Sequence, residues 1–166
     1  MLNPATLTLF SASAGSGKTH QLVQTYLYLC LQSERPNAYY DILAITFTRK
    51  ATAEMKERIV ASLQAWVSGQ SHGASDQMRE ALIGDLKISP EAFQKRAESA
   101  LQHLLHHYGY FSVTTIDALT HRIVRSFSQD LQLPAAFELE MDRNLLVAEA
   151  VDRTLDAYDG SSELSQ

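Results

Sequence analysis

Apolar positions along this chain fall into two rhythms. Leu7-Thr8-Leu9-Phe10, Ile42-Leu43-Ala44-Ile45-Thr46-Phe47 and Phe111-Ser112-Val113-Thr114-Thr115 are short and nearly continuous, as strands covered on both faces are. Elsewhere the spacing is helical. Leu22, Val23, Tyr26, Leu27, Leu29 and Cys30 predict a helix over 18–32, and Ala51, Met55, Ile59, Leu63, Trp66 and Val67 another after the second strand. Ser68 to Ser75 reads as a flexible loop, followed by helices over 76–85 and 90–107, the latter opened by Ser89-Pro90-Glu91. Leu119, Ile123, Val124 and Phe127 predict a helix from Asp117, Leu133-Pro134 breaks the chain, and a last helix spans 142–158. The polar tail, 160–166, carries no pattern of its own, and no internal repeat is visible. The order predicts an α/β fold: a short parallel sheet flanked by helices, with a helical insert.

Composition narrows the class without naming a function. The chain has 166 residues, enough for one domain with a real core. Apolar residues make up 45% and charged residues 20%, an ordinary globular balance. A formal net charge of −5 means that any polyanion must meet a local basic patch. The single cysteine, Cys30, excludes an internal disulfide and suits a reducing compartment. No basic leader and no apolar run of about 20 residues is present, so no membrane association and a cytoplasmic protein are expected.

The chemistry concentrates where the first predicted strand meets the first predicted helix. Ala12, Ser13, Ala14, Gly15, Ser16, Gly17, Lys18 and Thr19 approximate the phosphate-loop pattern G-x-x-x-x-G-K-[ST], with alanine at its first glycine. Backbone N–H groups of such a turn cradle nucleotide phosphates at the helix N-terminus. The lysine reaches the β/γ-phosphates, and the threonine hydroxyl ligates Mg²⁺. A nucleoside triphosphate with Mg²⁺ is therefore the expected ligand, with Lys18 and Thr19 the catalytic pair. A mobile Gly/Ser turn capping a helix is the bland alternative. An NTPase also needs a carboxylate at a strand end for Mg²⁺ and water. No Asp-Glu strand end occurs, and Asp117 is the one placed candidate, with an ordinary N-cap role as its alternative. His103, His106 and His107 share a helix face, but no cysteine or carboxylate is near them in sequence. A solvated helix end is the expectation there.

Three ordered stretches carry a resemblance: residues 11–19; residues 42–59, beginning Ile-Leu-Ala-Ile-Thr-Phe-Thr-Arg-Lys; and residues 115–127, beginning Thr-Ile-Asp-Ala-Leu-Thr. Together the chain resembles the UvrD/RecB-like superfamily 1 helicases, in which alanine at position 12 is usual. The second and third stretches look like that family's motifs Ia and Ic. The resemblance implies a partial RecA-like lobe of a P-loop NTPase, with 1–135 its N-terminal portion and 136–166 the truncated start of a helical subdomain. It further implies ATP-dependent 3′–5′ translocation on single-stranded DNA or on duplex with a 3′ overhang. RecB- and AddA-like relatives add a nuclease and join helicase–nuclease complexes in repair or recombination.

Carried over residue by residue, Thr46, Phe47, Thr48, Arg49 and Thr115 would contact DNA, Phe47 by stacking and the hydroxyls and Arg49 by holding phosphates. For Phe47 a place in the core is the competing reading. The family commonly has histidine at position 117, alanine at 52 and an upstream adenine-reading glutamine, none of which this chain shows, so ATP as the nucleotide is implied by the resemblance alone. His20 follows Thr19 where relatives often have arginine beside the adenine, with an exposed helix histidine as the alternative. The later motifs, the arginine fingers and a second lobe are also missing, so little ATPase is expected from this chain alone. A small P-loop kinase and a non-catalytic remnant are the alternative readings.

Overall fold

The structure is a computed structural model that describes residues 17–70, 73–128, 130 and 143–162. The first predicted strand, the turn residues Ala12 to Ser16, the Leu133-Pro134 break and the last four residues lie outside these. The described elements run α1 (Lys18–Leu31), β1 (Ala44–Thr46), α2 (Arg49–Ser68), α3 (Ala74–Leu86), α4 (Pro90–His106), β2 (Val113–Thr115), α5 (Ile116–Ser126) and α6 (Arg143–Ser162). Short 3₁₀ turns, Ala38–Asp41 and Tyr108–Tyr110, lead into the two strands. The chain divides into two compact units, Met1–Leu119 and Thr120–Gln166.

Within the first unit, α1, α2 and α4 build the core. Buried Val23, Tyr26, Leu27, Cys30 and Leu31 follow helical spacing along α1 and form one stripe, which leaves Leu22 off it and exposed. Met55, Ile59, Leu63 and Trp66 do the same on α2, and Phe93, Ala97, Ala100, Leu101 and Leu104 on α4. The Trp66 ring meets the Phe93 edge at 5.3 Å, and its indole N–H donates to the Ser75 carbonyl at 3.1 Å. That bond satisfies the one polar atom of the largest core side chain.

The helix ends show why the elements stop where they do. Thr48 and Ser89 are N-caps, accepting from Ala51 N at 3.0 Å and Ala92 N at 3.2 Å. Glu91, in the first turn of α4, has its carboxyl held below the usual range by its own backbone N–H and by the Ser89 hydroxyl. α2 ends on Gly69 at φ 67°, with Gly69 N bonding Trp66 O and Gln70 N bonding Ala65 O. The predicted loop thus shrinks at both ends: α2 includes Ser68 and α3 begins at Ala74. α1 has no basic residue in its last turn. Arg96 of α4 supplies the cap, donating to Leu31 O and Gln32 O at 3.1 Å each and to Glu34 at 3.3 Å.

The sheet among the described residues has two strands, paired parallel with Ala44, Ile45 and Thr46 opposite Val113, Thr114 and Thr115. A parallel pair needs a long crossover, here α2, α3 and α4. The expectation that β1 is covered on both faces is not met. Leu43 and Ile45 stand half exposed, because successive side chains turn to opposite faces and α2 covers one of them. In the C-terminal unit, α6 continues to Ser162, so the tail read as patternless begins inside a helix. A helix end needs only its backbone ladder, which a hydropathy pattern does not show.

Truncating Leu63, fully buried on α2, is expected to cost about 2–5 kcal/mol. Truncating half-exposed Leu105 should stay within about 0.5 kcal/mol. Urea denaturation of the two alanine variants checks the contrast. The Cys30 thiol is pushed up to about 12 by burial. Thiolate is the reactive form. Cys30 should therefore resist an aromatic disulfide reagent at pH 8 in the folded protein and react at once in denaturant.

Candidate functional site

Two sequence-predicted contact residues meet through the strand register. Thr46 and Thr115 are Cα partners at the C-terminal ends of β1 and β2, the end at which open α/β sheets present ligand-binding loops. Phe47 follows Thr46 and is 86% exposed, so the core reading of this ring is overturned. Among the described residues no layer covers this strand tip, and the ring stays in solvent.

A hydroxyl network fixes the turn from β1 into α2. The Thr46 hydroxyl donates to Thr48 O at 3.1 Å and lies 2.6 Å from the Thr52 hydroxyl, which itself reaches Thr48 O at 3.2 Å. Thr48 in turn caps α2. Position 52, where the resembled family commonly has alanine, is therefore part of the tip; its threonine four residues after Thr48 was the available signal. Arg49 and Lys50 stand exposed in the first turn of α2, which holds no acidic residue. Cations beside the positive end of a helix are unfavourable on their own and favourable once an anion sits there.

Asp117 lies exposed in the first turn of α5, and its N-cap reading does not hold. Thr115 takes that place, accepting from Ala118 N at 3.2 Å, because its hydroxyl sits three residues before that N–H.

At the head of α1, Gly17 is the N-cap with φ 81°, a left-handed conformation that glycine adopts without penalty. A Cβ there would meet open space, so the dihedral alone favours glycine. Gly17 offers no side chain to cap this helix, and its first turn carries no acid. Lys18 and His20 are exposed and Thr19 is half-buried. An N-terminus arranged this way suits an anionic group. The other turn residues, Ala12, Ser13, Ala14, Gly15 and Ser16, lie outside the described residues. His20 also borders a cleft of about 330 Å³ between α1, α2 and α3, lined with Arg58, Ser62 and Met78 among others.

The histidine cluster is more ordered than a solvated helix end. The Tyr39 hydroxyl donates to His103 O at 3.2 Å and lies 3.0 Å from His103 Nδ1. His106 Nδ1 is 2.7 Å from Gln102 O, and His107 Nδ1 is 3.2 Å from His103 O. Desolvation, then the neighbouring His107 and His106, hold the His103 pKa below its usual value.

Among the described residues, helices packed on a short parallel sheet make this an α/β protein, with Gly-Lys-Thr at the start of the first described helix. The family model of the UvrD/REP helicase N-terminal domain matches residues 1–164, and the chain belongs to that family. A component of the ATP-dependent helicase/nuclease of Anoxybacillus flavithermus is 37% identical over 82 residues, covering 49% of this chain and 7% of that protein. Its counterpart in Thermoanaerobacter sp. strain X514 is 30% identical over 156 residues, 94% of this chain and 10% of that one. The RecB component of the RecBCD enzyme of Haemophilus influenzae is 36% identical over 106 residues, 52% of this chain and 9% of that protein. The chain spans about a tenth of the length of these curated relatives. No solved structure matches it.

Replacing Thr48 by alanine removes the cap of α2 and should cost about 1 kcal/mol, whereas Thr48→Ser should keep most of it. Equal urea midpoints for the alanine variant and the parent protein would show that the cap carries no weight.

Proposed function

We propose that this chain supplies the ATP- and DNA-binding N-terminal part of an ATP-dependent 3′–5′ DNA helicase, of the kind that works with a nuclease in repair or recombination. The register that sets Thr46 beside Thr115, with Phe47 bare at the strand tip, is the observation that carries the reading. In this reading Phe47 stacks on a base. The Thr46, Thr48 and Thr115 hydroxyls and Arg49 hold the sugar–phosphate backbone, with the positive end of α2 adding to the attraction. Ala12 to Thr19 wrap the triphosphate, Lys18 neutralises charge on its outer phosphates, and the Thr19 hydroxyl ligates the Mg²⁺ that arrives with it. The acid-free first turn of α1 fits such an anion. In this reading His20 lies beside the nucleotide's adenine end. Residues 1–135 would form the start of a RecA-like lobe and 136–166 the start of a helical subdomain, working in the cytoplasm with the other members of a helicase–nuclease complex. Arginine fingers and a Mg²⁺ carboxylate pair would come from elsewhere in such a machine, so this chain alone should bind nucleotide and turn it over very slowly.

Titration calorimetry with Mg-ATP should show saturable binding that Lys18→Ala weakens at least tenfold. Fluorescence anisotropy with labelled single-stranded DNA should show salt-sensitive binding that Phe47→Ala weakens about tenfold, one stacked base being worth about 1–3 kcal/mol. Folded protein that binds neither ligand, or binds both unchanged in the variants, would remove the basis for this function.

A further inference from the structure

The hydroxyls at the two strand exits are held by one device, used in two ways. Thr48 and Thr115 each accept from a backbone N–H three residues on, Ala51 N at 3.0 Å and Ala118 N at 3.2 Å. Accepting spends a lone pair and leaves the hydroxyl's own proton for a ligand. Thr46, the last residue of β1, is held by a side chain instead. The Thr52 hydroxyl, in the first turn of α2, lies 2.6 Å from its own.

Three donors crowd one oxygen at this turn. Thr48 O accepts the Thr52 N–H at 3.0 Å, and lies 3.1 Å from the Thr46 hydroxyl and 3.2 Å from that of Thr52. A carbonyl has two lone pairs and the N–H occupies one, so one hydroxyl proton settles there and the other goes to the neighbouring hydroxyl. Either order makes a chain of two hydroxyls that ends on Thr48 O.

We propose that Thr52 is the positioning residue of this strand tip: its hydroxyl donates to Thr46 and aims the Thr46 proton at a phosphate oxygen of the bound strand. This role rests on the DNA reading above and adds a residue to it. As a phosphate approaches, the Thr46 proton turns from Thr48 O to the anion. The carbonyl keeps the Thr52 N–H, so no acceptor is orphaned. A hydroxyl that accepts one hydrogen bond donates a stronger one, and a charged acceptor strengthens it again. Without the Thr52 hydroxyl, only Thr48 O remains to Thr46 of these contacts, and reaching the strand gives that bond up.

Placement agrees with the role. Thr46 pairs in register with Thr115, the bare Phe47 ring follows it, and Arg49 and Lys50 stand exposed two residues further on. A hydroxyl bonded to the carbonyl four residues back is by itself ordinary on a helix. Ser126 on α5 reaches Arg122 O at 2.8 Å in this way, and Thr154 on α6 reaches Ala150 O at 2.7 Å. Thr52 differs in that its oxygen also meets the hydroxyl of a strand end.

Fluorescence anisotropy of the 166-residue protein with a labelled oligo(dT) strand is the test. Thr52→Val keeps the branched shape without the hydroxyl and should weaken binding at least threefold, as should Thr52→Ala. Thr52→Ser should stay within twofold of the parent protein. In a Thr46→Val background, Thr52→Val should cost nothing more, because the chain is already broken. Thr154→Val removes the same kind of helix bond far from the tip in sequence and should leave affinity unchanged. Far-ultraviolet dichroism checks that each variant is folded. Undiminished binding by both Thr52→Val and Thr52→Ala would overturn the role, as would an equal loss in Thr52→Ser or a fully additive loss in the double variant. If that happens while Phe47→Ala still weakens binding, the DNA reading stands and this role alone falls. A parent protein that binds no strand removes both.

Discussion

The parallel pairing of two three-residue strands is the constraint on which the rest of this structure depends. Once Ala44 pairs with Val113, the period of the strand fixes Thr46 opposite Thr115. Both chain exits then leave from the same edge, one into α2 and the other into α5. A shift of one residue would part the two threonines and turn buried Val113 and Thr114 toward the wrong faces. So short a pair has few hydrogen bonds to hold it. The register is held instead by α2 packed on both strands and by the crossover that α4 closes.

The helical layer serves that pairing. Trp66, Phe93, Leu63 and Leu104 are nearly or fully buried and join α2 to α4, while Leu27 and Leu31 bring in α1. Arg96 then ties the end of α1 to the middle of α4 by two carbonyls and a carboxylate. With the helices set, the first turns of α1 and α2 keep fixed positions within their unit. Each is an acid-free N-terminus bearing lysine or arginine. Local electrostatics alone would not select such ends, and proteins tolerate broken local rules mainly at sites of function.

Exposed apolar surface marks the other side of the balance. Leu43 and Ile45 on the sheet, Ile123 and Phe127 at α5, and Val151 and Leu155 on α6 are each about half exposed. Helix α5 is strongly amphipathic and yet buries no residue among those described. Scattered apolar exposure is normal on any protein. An amphipathic stripe left bare is less so.

The amino-acid sequence by itself determined the elements and the chemistry they carry. Helical spacing marked α1, α2 and α4 to within two residues, Ser89-Pro90 marked a helix start, and the Gly-Lys-Thr turn with its two companion stretches marked the family. These are local signals, written in periodicity and in the dihedral needs of glycine and proline. Tertiary structure alone decided which parts meet. It set Thr46 against Thr115, left Phe47 in solvent, gave the α5 cap to Thr115 instead of Asp117, recruited Thr52 to the strand tip and sent Arg96 to cap α1. It also turned His103 toward Tyr39. Each of these depends on the packing of residues distant in sequence or on the local path of the backbone, and neither leaves a periodic trace in the order of residues.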